Sequence, residues 1–182
     1  MAALRTPAVF LDRDGTLIED TGYIQDPDAV QLFPGLAEDL AALQALGFKT
    51  VIVTNQSGIG RGYFTEADYH AVHARLIELL GPELIDAVYF CGDHPDTAGE
   101  RRKPGPGMLL EAAEDLHLDL ARSWMVGDRA GDVEAGRRAG CRTILVRTGE
   151  GARADVSGAD YVAADFRSAV AHIRGAAAAT SD

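Results

Sequence analysis

Cysteine is scarce in this chain: its 182 residues hold two, Cys91 and Cys141. That is too few for a disulfide framework, and a reducing, cytoplasmic setting is expected. Long apolar runs are lacking as well. The first, Val9-Phe10-Leu11, is followed at once by Asp12, Arg13 and Asp14, so neither a membrane span nor a signal peptide is expected, and no membrane partner. Basic residues are outnumbered, 17 Lys and Arg against 28 Asp and Glu, for a net charge of -11. A nucleic-acid partner needs a basic face and is not expected. Nor are there obvious apolar patches, which tilts the expectation to a monomer. Such a length suits one domain with a sizeable core, expected over residues 1–174. The small-residue stretch 175–182 is expected to be a disordered tail.

What is present begins with Asp12-Arg13-Asp14-Gly15-Thr16-Leu17. Val9–Leu11 read as a buried strand and Gly15 as the turn that stops it. Side chains alternate along a strand, so Asp12 and Asp14 can point the same way beyond its carboxyl end. Two like charges that close need a cation, a shared proton or open water. A solvated acidic turn is the bland reading, and three further segments bear on it. Thr50–Thr54 is a β-branched run that ends in Asn55-Gln56-Ser57-Gly58-Ile59-Gly60-Arg61-Gly62, a glycine-rich loop able to hold an anion. Arg101-Arg102-Lys103-Pro104 is a basic triplet just ahead of a helical pattern. Trp124–Gly127 is a second buried run, ending in Asp128 and Asp132. Each taken alone could be a capped turn or a solvated loop. Their fixed order along the chain is what departs from chance.

The coarse pattern alternates strands near 8–11, 50–54, 87–91, 123–126, 143–146 and 161–162 with helices near 36–46, 66–80, 107–116, 132–139 and 166–173. Thr65 through Asp68 read as a capped helix start, with Leu76, Ile77, Leu79 and Leu80 as its core stripe. Alternation of this kind predicts an α/β fold: a three-layer, Rossmann-like parallel sheet with helices on both faces. Ligands of such sheets bind outside the carboxyl ends of the strands, where all four motifs fall.

In that order the motifs resemble those of the haloacid-dehalogenase-like superfamily, at Asp12/Asp14, Thr54, Lys103 and Asp128/Asp132. The fuller strings, with Gly22-Tyr23-Ile24, Phe33-Pro34-Gly35 and Arg102-Lys103-Pro104, are similar to one branch of it, the heptose-bisphosphate phosphatases. Histidinol-phosphate phosphatases are near relatives. The similarity runs from about Pro7 to about Ile173. About twenty residues separate Thr16 from the first helix and about a dozen separate Cys91 from Lys103, whereas a folded cap needs roughly 40–50. The site is therefore expected to be covered by loops, with Asp20–Tyr23 as a flap.

The resemblance implies phosphomonoester hydrolysis: Asp12 as nucleophile, Asp14 as general acid and base. The charge of Asp12 is expected to raise the pKa of Asp14. The same resemblance implies Mg²⁺ on Asp12, the backbone carbonyl of Asp14 and Asp128. Thr54, Asn55 and Lys103 would hold the phosphoryl oxygens, and Asp132 would orient Lys103 or a metal-bound water. Substrate contacts are expected from Asp20, Thr21, Gly22, Tyr23, Gln56, Ser57, Arg102 and Arg129, the two arginines on a second phosphate. The implied substrate is a small sugar bisphosphate. Histidinol phosphate, another small sugar phosphate, or a polynucleotide 3′ end are the alternatives, the last opposed by the acidic balance. A non-catalytic phosphate-binding relative is opposed by the intact acids and Lys103. The branch often carries a zinc loop, and this chain departs from it. Cys91 fills the first ligand place, but Asp93, Gly99 and Arg101 occupy the others and His94 is only nearby. One or two donors cannot hold tetrahedral zinc, so no zinc is expected, and order in the loop is expected from Pro95, Pro104 and salt bridges. His70, His73, His117 and His172 carry no motif.

Overall fold

The computed structural model describes residues 5–156 and 158–179. Six strands form one parallel sheet: β1 (Ala8–Leu11), β2 (Lys49–Asn55), β3 (Ala87–Cys91), β4 (Trp124–Gly127), β5 (Arg142–Val146) and β6 (Tyr161–Ala163). Their spatial order is β3-β2-β1-β4-β5-β6, with every neighbouring pair parallel. Parallel neighbours need crossovers, and the helices supply them: α1 (Leu36–Ala45), the single turn α2 (Ser57–Gly60), α3 (Glu66–Leu80), α4 (Gly107–Asp115), α5 (Ala130–Ala139) and α6 (Phe166–Ala179). The chain winds outward in both directions from the β1/β4 pair. That pair is the switch point where a ligand crevice opens in sheets of this kind.

Alternation along β1 shows how the layers form. Val9 and Leu11 enter one buried cluster with Leu40 and Leu43 of α1, Val72, Leu76 and Leu80 of α3, and Phe166, Val170 and Ile173 of α6. Ala8 and Phe10 enter the other, with Met108, Leu109 and Ala112 of α4 and Ala135 and Ala139 of α5. Successive residues serving opposite faces is the mark of a strand buried on both sides. The gaps after β1 and after β3 hold only short turns and loop, and no folded cap lies over the sheet among the described residues. Nor is any helix among them long and apolar enough to cross a membrane.

Several sequence expectations shift. α3 starts as expected, with a capping box in which Thr65 Oγ1 accepts the Asp68 N–H and Asp68 accepts the Thr65 N–H. Its inner stripe is Tyr69, Val72, Leu76 and Leu80, spaced by three and four, so Leu79 falls outside and is exposed. The glycine-rich stretch after β2 forms the turn α2 instead of staying a loop. α5 begins at Ala130 because Asp132 reaches back to accept the Arg129 N–H at 3.0 Å. The tail expectation fails over its first part: α6 continues through Ala179. Alanine has no side-chain entropy to lose in a helix, so low complexity does not mean disorder here. The rest of that expectation, 180–182, lies outside the described residues.

Candidate active site

The site starts where β1 stops. Asp12 donates its backbone N–H to the Val126 carbonyl of β4 at 3.0 Å, so the tips of the two central strands stay joined and Asp12 stands beside Asp128. Gly15 makes the turn that follows, at φ 84°, a region L side chains rarely adopt. A Cβ there would also collide with the Asp128 carboxylate, as would one on Gly149. Asp128 is thus cradled between two backbone segments, and its Oδ2 accepts the Glu150 N–H at 2.8 Å.

Lys103 arrives from the loop before α4 and is buried. Its ammonium has three acceptors, Asp12 Oδ1 at 2.8 Å, Asp132 Oδ1 at 2.6 Å and the Val53 carbonyl at 2.8 Å. Burial alone would pull its pKa down, but the carboxylates of Asp12 and Asp132 outweigh this and raise it. The ammonium is a fixed charge. Asn55 holds this loop in place: its amide donates to the Lys103 carbonyl at 2.9 Å and accepts the Lys103 N–H at 3.0 Å. Both ends of the side chain expected to bind phosphate are therefore occupied in placing Lys103.

Asp12, Asp128 and Asp132 bring carboxylate oxygens within 4.8 Å of one another, all three residues buried. The Lys103 ammonium touches Asp12 and Asp132, and the charge of Arg129 acts on Asp128 and Asp12 from farther off. Burial, then the charge of Asp132, raises the pKa of Asp12. Burial and the charges of Asp12 and Asp132 push Asp128 up to about 8. Asp128 Oδ1 is buried with no hydrogen-bond partner. A buried carboxylate cluster with an orphaned oxygen is what a hard divalent cation satisfies, so the donor set fits one. Asp132 belongs to the cluster, yet its Oδ1 is taken by Lys103 and its Oδ2 by the Arg129 N–H.

Asp14 is held differently. Its two oxygens take the Nε and Nη2 of Arg13 at 2.9 and 3.1 Å, and Oδ2 also takes the Gln56 Nε2 at 3.0 Å. Thr54 lies beneath: its hydroxyl oxygen accepts from the same Gln56 Nε2 at 2.8 Å.

A cavity of about 620 Å³ opens above these groups. Of the expected site residues, Asp12, Asp14, Asp20, Gly22, Tyr23, Asn55, Gln56, Ser57, Arg102, Lys103, Arg129 and Asp132 line it, while Thr21, Thr54 and Asp128 do not. Thr21 is exposed on the flap; Thr54 and Asp128 are buried. The flap is tied down by Asp20, which bonds the Arg129 guanidinium at 3.1 Å, and by Tyr23, edge-on to Tyr63 at 4.8 Å. Gly149 and Glu150 also line the cavity and escape the sequence reading. The available signal was Gly149-Glu150-Gly151 at the carboxyl end of β5, because every parallel strand ends on the same edge. The loop where a zinc site would be is held by ion pairs: Arg101 with Glu111 at 2.7 Å and Arg138 with Glu100 at 2.8 Å. His94 Nδ1 accepts the Asp96 N–H of its own loop at 3.2 Å.

A protein from Thermosynechococcus vestitus named D-glycero-D-manno-heptose-1,7-bisphosphate 7-phosphatase is 45% identical over 90% of this chain and 93% of its own length. The chain belongs to that phosphatase family. The Escherichia coli K12 member is 42% identical, over 81% of this chain and 83% of its own. A hydrolase-like family model, described as HAD-hydrolase-like, matches residues 100–169. Among solved structures, the D,D-heptose 1,7-bisphosphate phosphatase from B. bronchiseptica, complexed with magnesium and phosphate, superposes with a TM-score of 0.85 at 31% identity, covering 93% of this chain and 99% of that one. A putative HAD-like phosphatase from Mesorhizobium loti gives 0.80 at 40% identity, covering 95% and 86%. Family membership and the fold thus agree with the motif order, and the family is one of phosphatases.

Proposed function

We propose that this chain removes the 7-phosphate of D-glycero-D-manno-heptose 1,7-bisphosphate through an aspartyl-phosphate on Asp12. The observation that carries the reading is the contact of Lys103 with Asp12 at 2.8 Å, beside an Asp128 oxygen that no lysine, arginine or amide donor reaches. A buried cation and a cation-ready carboxylate flank one oxygen acid at a strand tip, which is the environment an anionic nucleophile needs to approach an anionic ester. A carboxylate oxygen of Asp12 forms the bond to phosphorus while the sugar oxygen leaves with a proton from Asp14. Asp14 then takes a proton from the water that opens the acyl phosphate, and Asp12 is restored.

Mg²⁺ is the cation proposed, since all the donors are oxygens and it accepts carboxylates and waters readily. Asp12, Asp128 and the Asp14 carbonyl would hold it, and it would supply charge neutralisation at the transferring phosphoryl group. Zinc is not proposed: of the four family places Cys91 keeps its thiol and Asp93 offers a carboxylate in place of histidine, while Gly99 and Arg101 offer no ligand.

Support for a bisphosphate comes from the mouth. Arg102 and Arg129 line it, two guanidiniums of the kind that grip a phosphate bidentately. The departure of loop 92–102 from the family pattern bears on substrate choice more than on the chemistry, so histidinol phosphate or another small sugar phosphate is the second reading. Phosphate release from the heptose bisphosphate and from histidinol phosphate, each with and without Mg²⁺, tests both. Far higher kcat/KM on the bisphosphate supports the proposal; preference for histidinol phosphate overturns the substrate and leaves the chemistry.

A further inference from the structure

Arg13 is the largest side chain that the fold buries completely, and no step above uses it. Taking a guanidinium out of water is costly unless all its donors are matched. Here two are matched, both by Asp14, in a two-pronged contact at 2.9 and 3.1 Å. The ring of Tyr69, on α3, lies 5.4 Å from the guanidinium carbon. The third nitrogen, Nη1, has no partner, and neither do the neighbouring Tyr69 hydroxyl and His73 Nδ1, all buried. As a stabilising device this is poor, since it leaves three buried polar atoms unpaired. As a geometric device it is strong. The planar guanidinium fixes the plane of the carboxylate as well as its position. The Gln56 amide adds a third hydrogen bond at 3.0 Å. Asp14 nevertheless lines the cavity.

We propose that Arg13 is the positioning residue of Asp14, holding the acid–base carboxylate at the reach and tilt that proton transfer requires. Arg13 touches neither phosphorus nor the leaving oxygen; it acts through Asp14. The inference rests on the roles assigned above to Asp12 and Asp14. In the first step the Asp12–phosphorus bond forms, the ester oxygen–phosphorus bond breaks, and the Asp14 proton goes to the departing oxygen. In the second, a water oxygen bonds to phosphorus, its proton goes to Asp14, and the Asp12–phosphorus bond breaks. A mispositioned Asp14 therefore slows both steps for an alkyl ester. For an aryl ester such as p-nitrophenyl phosphate, whose leaving group departs without a proton, it slows only the second.

The test compares the wild type with Arg13→Gln on the heptose 1,7-bisphosphate, an alkyl ester, and on p-nitrophenyl phosphate, both with Mg²⁺. Arg13→Gln should lower kcat on the alkyl ester about 100-fold with KM little changed. On the aryl ester it should release a burst of one nitrophenolate per active site and then turn over slowly. Arg13→Lys keeps the charge but loses the planar pair of donors, and should fall between. Equal proportional losses on both esters with no burst, or undiminished alkyl turnover, would overturn the proposal. If Arg13→Gln does not fold, the same split is read in Arg13→Lys; failure of both to fold marks Arg13 as structural and overturns it too. A wild type inactive on both esters refutes the phosphatase reading itself. An active wild type whose variants show no split refutes the role of Arg13 alone.

Discussion

Asp132 meets the Lys103 ammonium at 2.6 Å, both residues buried, while its other oxygen accepts the Arg129 N–H at 3.0 Å. One carboxylate thus fixes the cation of the site and caps the helix that follows β4. Asp132→Asn keeps the shape and the cap but removes the charge that helps hold Lys103 protonated and aimed at Asp12. Such supporting groups are worth roughly 10–100-fold in activity. The expected result is a loss of that size in kcat, with a thermal midpoint close to wild type; an unchanged kcat would deny Asp132 this role.

The carboxylate cluster predicts a metal-dependent stability. Mg²⁺ added to the metal-free protein should raise the melting temperature in a concentration-dependent way, because a ligand bound only by the folded state stabilises it by mass action. Asp128→Asn removes the buried carboxyl group whose Oδ1 has no hydrogen-bond partner. This variant should melt no lower than wild type without Mg²⁺, and should respond little to its addition. A full response in Asp128→Asn would place the cation elsewhere.

His73 supplies a pH dependence away from the reacting groups. Burial, with the charges of Arg13 and His70, pulls its pKa from 6.5 down to about 4. The unfolded chain therefore takes the proton first. Stability associated with this group is whole above pH 6.5, falls as the pH drops toward 4, and levels below that. The urea midpoint of the wild type should decline between pH 7 and pH 5, and His73→Phe, which can stack on Tyr69, should flatten that decline. An identical slope in both proteins would exclude His73 as its source.

The two thiols should be inert. Burial pushes Cys141 up to about 12 and raises Cys91 as well, and the thiolate is the reactive form. A chromogenic disulfide reagent should label neither in the native protein and both in urea. Rapid native labelling of Cys91 would show that the loop after β3 opens readily.

Much of this was legible in the chain because the information was local. Period-two and period-3.6 patterns mark strands and helices, and a glycine after a strand marks its end, so Asp12, Asp14, Lys103 and Asp128 could be set on one sheet edge. Partners distant in sequence were not legible. Nothing near Asn55 says that its amide will meet the backbone of Lys103, 48 residues on. Nor does anything near Arg13 say that the ring of Tyr69, 56 residues on, will lie 5.4 Å from its guanidinium carbon. Thr54 has the right residue type for a phosphate ligand, but its hydroxyl oxygen accepts the Gln56 amide and, unlike Gln56, it does not line the cavity. Glu150 enters through its backbone N–H, which no side-chain motif records.

The most direct measurement is rapid acid quench of the enzyme during turnover of the heptose bisphosphate, followed by mass analysis of its peptides. A phosphoryl group on the peptide containing Asp12, appearing and decaying with turnover and absent from Asp12→Asn, is the predicted result. Steady phosphate release by Asp12→Asn, or a phosphoryl group on another residue, would contradict it.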